Sequence, residues 1–298
     1  MAEQIHTAVT QTRIFRDYLA LTKPAIVVLL LVTTLCGMIL GTSGIPPVSI
    51  LLLTLLAGAL TAGGAGALNQ YIDRGIDRKM VRTRGRPVAD ERIPPRDALI
   101  VGLALSAAGI TILAVGVNVL SALLAAIGLL YYVVFYTMIL KKSTPSNIVI
   151  GGAAGAIPPL VGWAAVTGSL TMPALFLFAL IFFWTPPHFW ALALLKRSDY
   201  QRADIPMLPV IRGSEQTRWQ ILLYSVQVVA LTLLMPLVGL GGILYVGVAI
   251  VLGIGLIHHA QKLRQRGQNR TAWRMYRYSS LYLAGIMVAL MAEALIIG

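Results

Sequence analysis

The chain has 298 residues, of which 57% are hydrophobic and 12% are charged, and its mean hydropathy is +0.80. This composition excludes an ordinary soluble domain and is typical of a protein that crosses a membrane several times. The single cysteine, Cys36, excludes a disulfide within one chain. The formal net charge of +13 raises nucleic-acid binding as an alternative, which depends on where the charges lie.

Apolar segments recur along the whole chain, each close to the ~20 residues that a helix needs to cross a bilayer. They lie roughly at residues 25–41, 49–69, 98–117, 120–140, 148–167, 170–190, 220–238, 241–257 and 279–297. We therefore predict an all-α polytopic membrane protein, a single domain over residues 1–298, with nine transmembrane helices around a central cavity.

The positive charges lie on one side of this arrangement. All 24 Lys and Arg residues precede the first span or follow an even-numbered span. The positive-inside rule then predicts that the N-terminus is inside and the C-terminus outside. Topology and attraction to anionic lipid explain the basicity, so no nucleic-acid partner is predicted. Glu293, near the outer end of the last span, is expected to be solvated or to snorkel to the interface rather than to belong to a proton relay.

Three segments are predicted to be cytoplasmic: 1–24 at the N-terminus, and the active-site loops 70–97 and 191–219. The apolar run near residue 25 has no cleavage pattern of a signal peptide behind it, and the residues before it do not resemble a transit peptide. We therefore expect a multi-pass protein of the bacterial inner membrane.

The second span leads into a stretch with regularly spaced polar side chains. Asn69, Asp73 and Asp77 share one helical face, because a helix has about 3.6 residues per turn. The two carboxylates lie near the negative end of the helix and repel each other at this spacing. This arrangement is expected to bind a cation. Mg²⁺ carrying a phosphate fits, because it prefers a few carboxylates plus substrate oxygens.

A second acidic segment follows the sixth span and contains Asp199 and Asp204. It lies four spans after the first, on the same side of the membrane, so the two segments can face each other across one cavity. Their many Arg and Lys residues suit the phosphate oxygens of a metal-bound diphosphate. Other acids of these segments are interpreted as a solvated, neutralising surface network: Asp90, Glu91, Asp97 and Glu215.

These residues match a known family. An Asn-xxx-Asp-xxx-Asp pattern after an even-numbered span, with a second acidic segment four spans later, resembles the UbiA superfamily of intramembrane prenyltransferases. Within it, the sequence is most similar to the protohaem IX farnesyltransferase (haem O synthase) branch. The matching phrases occur in order and cover roughly residues 20–215: Leu21–Pro24, Asp77–Pro87, Asn147–Pro159, Trp184–Trp190 and Asp199–Pro209.

The resemblance implies a reaction. A farnesyl group would pass from farnesyl diphosphate to a vinyl group of haem B, and water would add, giving haem O and diphosphate. Mg²⁺ is the implied cofactor, and haem B is a substrate rather than a permanent cofactor. The implied partners are these two substrates, membrane lipid, and a haem A synthase or a terminal oxidase under assembly.

With this reaction, residues of the two acidic segments are expected to bind the metal ion and the diphosphate. The expected metal ligands are Asn69, Asp73, Asp77 and Asp199. The same four form the catalytic set together with Asp204, for which direct metal binding stays open. The expected diphosphate contacts are Arg78, Lys79, Arg82, Arg86 and Lys196.

His188 is a candidate haem contact. It follows Pro186 and Pro187 and has aromatic neighbours in sequence, and imidazole is a common axial ligand of haem iron. The prolines are expected to break the helix and open a pocket. The alternative is an interfacial histidine within a belt of aromatic lipid anchors.

Two other functions remain as alternatives. One is a related prenyltransferase that acts on an aromatic or quinone precursor. The other is a haem or lipid transporter, for which ionisable residues near the middle of several spans are expected. The predicted spans contain almost none, which disfavours the transporter.

Overall fold

The computed structural model describes residues 14–297, with side chains through 296, so the start of the predicted cytoplasmic segment 1–24 lies outside the described residues. Within that range the chain is helical, without strands, and nine helices are long and apolar enough to cross a membrane. We number them α1 to α9 in chain order: Pro24–Thr42, Val48–Lys79, Pro95–Gly116, Val119–Ser143, Asn147–Thr167, Met172–Leu195, Gly213–Val238, Ile243–Arg266 and Asn269–Ile297. The prediction of an all-α polytopic membrane protein is confirmed.

Several helices extend beyond the predicted spans. α2 continues to Lys79, so residues 70–79 are helical and not part of a loop. The segment predicted as the second loop is also largely helical, with short helices at Arg197–Arg202 and Leu208–Ile211 before α7 begins. α6 runs through Pro186 and Pro187 without a break. The prediction that these prolines break the helix is therefore wrong.

Neighbouring helices approach closely at glycines. A Cβ added to Gly64 of α2 would lie 2.3 Å from Oγ of Ser106 in α3. A Cβ added to Gly162 of α5 would lie 2.0 Å from the carbonyl oxygen of Thr34 in α1. Small residues at such positions let transmembrane backbones pack in direct contact, which brings α1, α2, α3 and α5 together.

The N-terminal helix, residues 14–21, packs against the segment between α2 and α3 and against the first turn of α3. Nε of Arg92 donates to Oδ1 of Asp17 at 3.0 Å, and the Tyr18 hydroxyl donates to Oδ2 of Asp97 at 3.2 Å. Beneath them lies a small separate core of Leu21, Ala67, Val88, Ile93 and Ala98. The N-terminal helix is therefore held at a fixed place beside the end of α2.

Glu293 is not solvated as expected: it is only 6% exposed, inside α9. Its Oε2 accepts a hydrogen bond from the backbone N–H of Tyr245, in the first turn of α8, at 3.0 Å. The Tyr245 hydroxyl donates to the carbonyl oxygen of Thr232 in α7 at 2.8 Å. Glu293 thus caps α8 and, through Tyr245, links the last three helices.

Candidate active site

The polar face at the end of α2 is buried. Asn69, Asp73 and Asp77, which we call the α2 acidic face, are each at most 3% exposed. Nδ2 of Asn69 donates to Oδ2 of Asp73 at 2.9 Å, so the amide and the first carboxylate form one unit. Buried carboxylates need partners of opposite charge, because an unpaired charge inside a protein is costly.

Two lysines from other parts of the chain contact this unit. Lys23, directly before α1, donates from Nζ to Oδ1 of Asn69 at 2.5 Å. Lys141, near the end of α4, donates from Nζ to Oδ2 of Asp73 at 2.5 Å. Burial lowers the pKa of Lys23 to about 7, with a smaller contribution from the positive charge of Arg86.

Asp77 has a cation of its own. Arg86, in the segment between α2 and α3, donates from one guanidinium nitrogen to both carboxylate oxygens of Asp77, at 2.9 and 2.8 Å. Each member of the α2 acidic face is therefore paired with a cation from a different segment. The site brings together a buried amide, two buried carboxylates and three partly buried basic side chains.

One oxygen of this site lacks a partner. Oδ1 of Asp73 is buried and accepts no hydrogen bond from the described residues. Such an oxygen is costly to bury, and a carboxylate oxygen is the ligand type that Mg²⁺ prefers, so the residues fit this ion. No group of three or more His, Cys, Asp or Glu side chains within residues 14–296 is placed to hold a metal ion. Substrate oxygens would have to complete its coordination.

An unusual helix segment positions Lys141. Residues Tyr131–Leu140 of α4 form a π-helix, a form that is rare and frequent at functional sites. Within it, Thr137 donates to the carbonyl oxygen of Tyr132 at 2.8 Å and accepts from Nδ2 of Asn69 at 3.1 Å. Thr137 and Lys141, one helical turn apart, thus both face the α2 acidic face.

The second acidic segment is arranged differently. The side chain of Asp199 is 7% exposed and accepts from Arg202, its neighbour in the short helix Arg197–Arg202. The side chain of Asp204 is 83% exposed and lies 3.4 Å from Nζ of Lys79. Neither acid contacts the α2 acidic face by a hydrogen bond in the described part of the chain.

The two segments nevertheless lie side by side. The Lys79–Asp204 pair joins the end of α2 to the second segment. Burial raises the pKa of Tyr200, and the positive charge of Arg82 from the first segment opposes this rise. These contacts agree with the expectation that the two segments face one site.

The predicted diphosphate contacts divide into two groups. Arg86 lies within the site, on Asp77. Arg78 turns away from it, because Nε donates to the Ala89 carbonyl oxygen at 3.0 Å and a terminal nitrogen to Glu91 at 2.7 Å. The remaining three are exposed and do not contact the α2 acidic face by a hydrogen bond in the described part of the chain: Lys79, Arg82 and Lys196.

His188 lies in an aromatic enclosure between α6 and α9. Its ring stacks on Trp184 with centroids 4.3 Å apart and lies 4.5 Å from the ring of Tyr276. Nδ1 is 2.8 Å from Oγ of Ser279. The ring is 9% exposed, so it is not a lipid-facing residue of an aromatic belt.

The hydrogen bonds of Ser279 determine the tautomer of His188. The Ser279 hydroxyl donates to the carbonyl oxygen of Tyr276 at 2.8 Å, which uses its only proton. Oγ must then accept from Nδ1–H of His188. Nε2 therefore carries a free lone pair, and it has no hydrogen-bond partner among the described residues.

Comparison with known sequences identifies the family. The UbiA prenyltransferase family matches residues 30–283, most of the chain. The chain belongs to the UbiA prenyltransferase family.

Relatives of this chain within the family include proteins named protoheme IX farnesyltransferase. A protoheme IX farnesyltransferase of Roseiflexus sp. (strain RS-1) is 50% identical over 95% of this chain, and the match covers 53% of that protein. A protoheme IX farnesyltransferase of Symbiobacterium thermophilum is 46% identical over 98% of this chain and 99% of that protein. The chain thus spans about half the length of the first relative and nearly all of the second.

Solved structures share the fold of this UbiA family member. A digeranylgeranylglyceryl phosphate synthase superimposes with a TM-score of 0.79 at 18% identity, over 95% of this chain and 99% of that one. A UbiA homologue from Archaeoglobus fulgidus, bound to GPP and Mg²⁺, gives a TM-score of 0.66 at 18% identity, over 92% of this chain and 99% of that one.

Three side chains of the site were not predicted: Lys23, Thr137 and Lys141. Lys23 lies in Leu21–Pro24, one of the phrases that carry the family resemblance, but the sequence pattern assigns it no role. Lys141 ends the fourth span, where a basic residue was interpreted only as a topology signal.

Proposed function

We propose that this protein transfers a farnesyl group from farnesyl diphosphate to a vinyl group of haem B, with addition of water, giving haem O and diphosphate. The observation that carries the proposal is the buried α2 acidic face with a cation on each of its members. Acids that hold a metal and cations that hold phosphate oxygens are what a diphosphate leaving group requires. Near-full-length relatives named protoheme IX farnesyltransferase support this acceptor.

Asp73, Asp77 and Asn69 would hold Mg²⁺, with Asp199 as a further ligand from the second segment. Bound there, the ion would neutralise charge on the diphosphate and act as a Lewis acid toward its oxygens. The free Oδ1 of Asp73 supports this assignment. The solved Archaeoglobus fulgidus homologue contains GPP and Mg²⁺, which supports a metal-bound prenyl diphosphate in this fold.

The basic side chains stabilise the leaving group. Lys141 and Arg86 already lie against the two carboxylates, so a small shift of each side chain would bring its N–H groups to diphosphate oxygens. They would offset the negative charge that grows as the allylic C–O bond breaks. The released farnesyl cation is attacked by the electron-rich vinyl group. Water captures the resulting cation beside the porphyrin and loses a proton, which the released diphosphate can accept.

His188 would bind the haem iron through Nε2. Ser279 holds Nδ1, and the stacked Trp184 and Tyr276 rings fix the plane of the imidazole. His188 and Asp73 are each about two turns from the C-terminal ends of α6 and α2, and both helices cross the membrane in the same direction, so the two residues lie at similar depth. This arrangement can present a haem vinyl group to the prenyl donor.

We place the site at the cytoplasmic side of a bacterial inner membrane, with the N-terminus inside and the C-terminus outside. The distribution of all Lys and Arg residues supports this orientation. Haem O leaves into the lipid phase or passes to a haem A synthase or a terminal oxidase.

One assay tests the reaction. The detergent-purified protein is incubated with Mg²⁺, farnesyl diphosphate and haem B, and diphosphate release is measured with the retention of the haem product on a reversed-phase column. We expect equal amounts of diphosphate and of a more hydrophobic haem. If diphosphate is released only when an aromatic acid replaces haem B, the proposal is contradicted. That result would favour a prenyltransferase that acts on an aromatic or quinone precursor.

Haem binding by His188 is tested by absorption spectroscopy of the protein with ferric haem B. We expect His188→Ala to abolish the shift of the Soret band. Ser279→Ala should weaken haem binding about fivefold, because one hydrogen bond that orients the ring is lost. Ser280→Ala is the matched control, since Oγ of Ser280 also contacts the Tyr276 carbonyl oxygen but not His188. An unchanged Soret shift in His188→Ala would disprove iron ligation.

A further inference from the structure

Lys23 has a strained backbone. Its φ and ψ angles are 54° and 59°, the left-handed helical region, which a residue with a Cβ rarely adopts. It also directly precedes Pro24, and proline disfavours helical angles at the residue before it. A strained residue persists only where the surrounding structure holds it, and such residues cluster at functional sites.

Contacts from α2 hold Lys23 and the turn before it in this conformation. Nε2 of Gln70 donates to the carbonyl oxygens of Ala20 and Leu21 at 2.9 and 3.2 Å, which fixes the end of the N-terminal helix. A Cβ added to Gly66 would lie 3.1 Å from the carbonyl oxygens of Leu21 and Thr22, so the turn lies directly on the α2 backbone. Gln70 is next to Asn69, and the same helix therefore positions Lys23 and forms its partner.

The ammonium group of Lys23 makes fewer hydrogen bonds to the described residues than its three donors allow. It donates to the amide oxygen of Asn69, which is neutral, whereas Lys141 and Arg86 are paired with carboxylates. An ammonium group has three donors, and within residues 14–296 Nζ of Lys23 makes one hydrogen bond. Of the three cations at the site, Lys23 is thus the one whose own partner does not neutralise it.

We propose that Lys23 is a substrate-binding residue that donates to the diphosphate, and that the turn at residues 20–23 exists to present it. The ligand chemistry is an inorganic or prenyl diphosphate with Mg²⁺. The inference rests on the proposed function for the identity of the prenyl donor, but inorganic pyrophosphate is sufficient to test it.

The test titrates the full-length protein in detergent with Mg²⁺-pyrophosphate by isothermal calorimetry. Lys23→Met keeps the aliphatic stem and removes the charge, and we expect it to weaken binding about tenfold or more, as for loss of a charge-assisted hydrogen bond. Lys23→Arg should recover part of the affinity. Arg16→Met is the matched control: it removes one positive charge from an exposed position on the N-terminal helix, and its Kd should stay within about twofold.

A second variant covers the case in which Lys23→Met does not fold. Gln70→Leu releases the turn while Lys23 keeps its charge, and we expect pyrophosphate to bind several-fold more weakly, with thermal unfolding measured alongside. Wild-type affinity in a folded Lys23→Met or Gln70→Leu variant would overturn the inference. Normal pyrophosphate binding by the wild type without farnesylation of haem B would contradict the proposed function and leave the role of Lys23 intact.

Discussion

The two acidic segments of this protein both combine carboxylates with Lys and Arg, but the surroundings of the carboxylates differ. On the α2 acidic face, Asp73 and Asp77 are buried, and their cations come from α4 and from the segment after α2. In the second segment, Asp199 pairs with a residue of its own short helix, and Asp204 is exposed to solvent.

This difference has an energetic meaning. Charges held in a buried site interact strongly because the effective dielectric constant is low, and they need little rearrangement when charge develops on the substrate. An exposed ion pair is screened by water and salt and contributes little. The structure therefore predicts that function is concentrated on the α2 acidic face and decreases toward Asp204.

The largest effect is expected for Asp73→Asn. It removes the carboxylate that carries the free oxygen and the partner of Lys141, and we expect kcat to fall about 10²–10³-fold. The measurement is diphosphate release at saturating Mg²⁺. Asp90→Asn is the control, because Asp90 is an exposed acid of the neighbouring segment and pairs with Arg92. Normal turnover by Asp73→Asn would disprove the metal assignment.

The second-largest loss of activity is expected for Lys141→Met. Loss of one charge-assisted hydrogen bond to the leaving group should lower kcat/KM for farnesyl diphosphate about 10- to 100-fold. Lys142→Met is the matched control, since Lys142 is the exposed neighbour on the same helix. Equal kinetics for the two variants would show that burial of the Lys141–Asp73 pair has no catalytic consequence.

Asp199→Asn is expected to have an intermediate effect. Asp199 is buried but is already paired locally with Arg202, so we expect about a tenfold loss of kcat and a higher Mg²⁺ requirement. A loss as large as that of Asp73→Asn would show that the second segment is an equal half of the metal site and would remove the contrast between the segments.

The smallest effect is expected for Asp204→Asn. Its carboxylate is exposed and contacts only the exposed Lys79 among the described residues, so we expect activity within about twofold of the wild type. The rate should also show the same salt dependence as the wild type. A tenfold loss would mean that Asp204 turns toward the substrate during the reaction.

The sequence predicted those features that depend on local periodicity. The common face of Asn69, Asp73 and Asp77 follows from the helical repeat, and the membrane helices follow from apolar segments of sufficient length. The prediction of His188 as a haem contact rests on its neighbours in sequence, in the phrase Trp184–Trp190 that carries the family resemblance. These features need no knowledge of which helices are neighbours.

The sequence did not predict features that depend on packing. Lys23 and Lys141 reach the α2 acidic face because the turn before α1 and a π-helix in α4 orient them, and neither conformation has a sequence signal. Arg78 was assigned to the diphosphate by proximity in sequence, whereas tertiary contacts direct it to Ala89 and Glu91.

The hydrogen bond between α8 and Glu293 has a consequence for biosynthesis: the start of α8 acquires its last acceptor only when α9 is present. The N–H of Tyr245 is satisfied by Glu293, a side chain close to the end of the last helix. Both residues are buried in the folded protein, so this N–H depends on Glu293 for its acceptor. During biosynthesis, the start of α8 therefore stays incomplete until α9 has been synthesised, and a truncation before Glu293 should leave a substrate for membrane quality-control proteases.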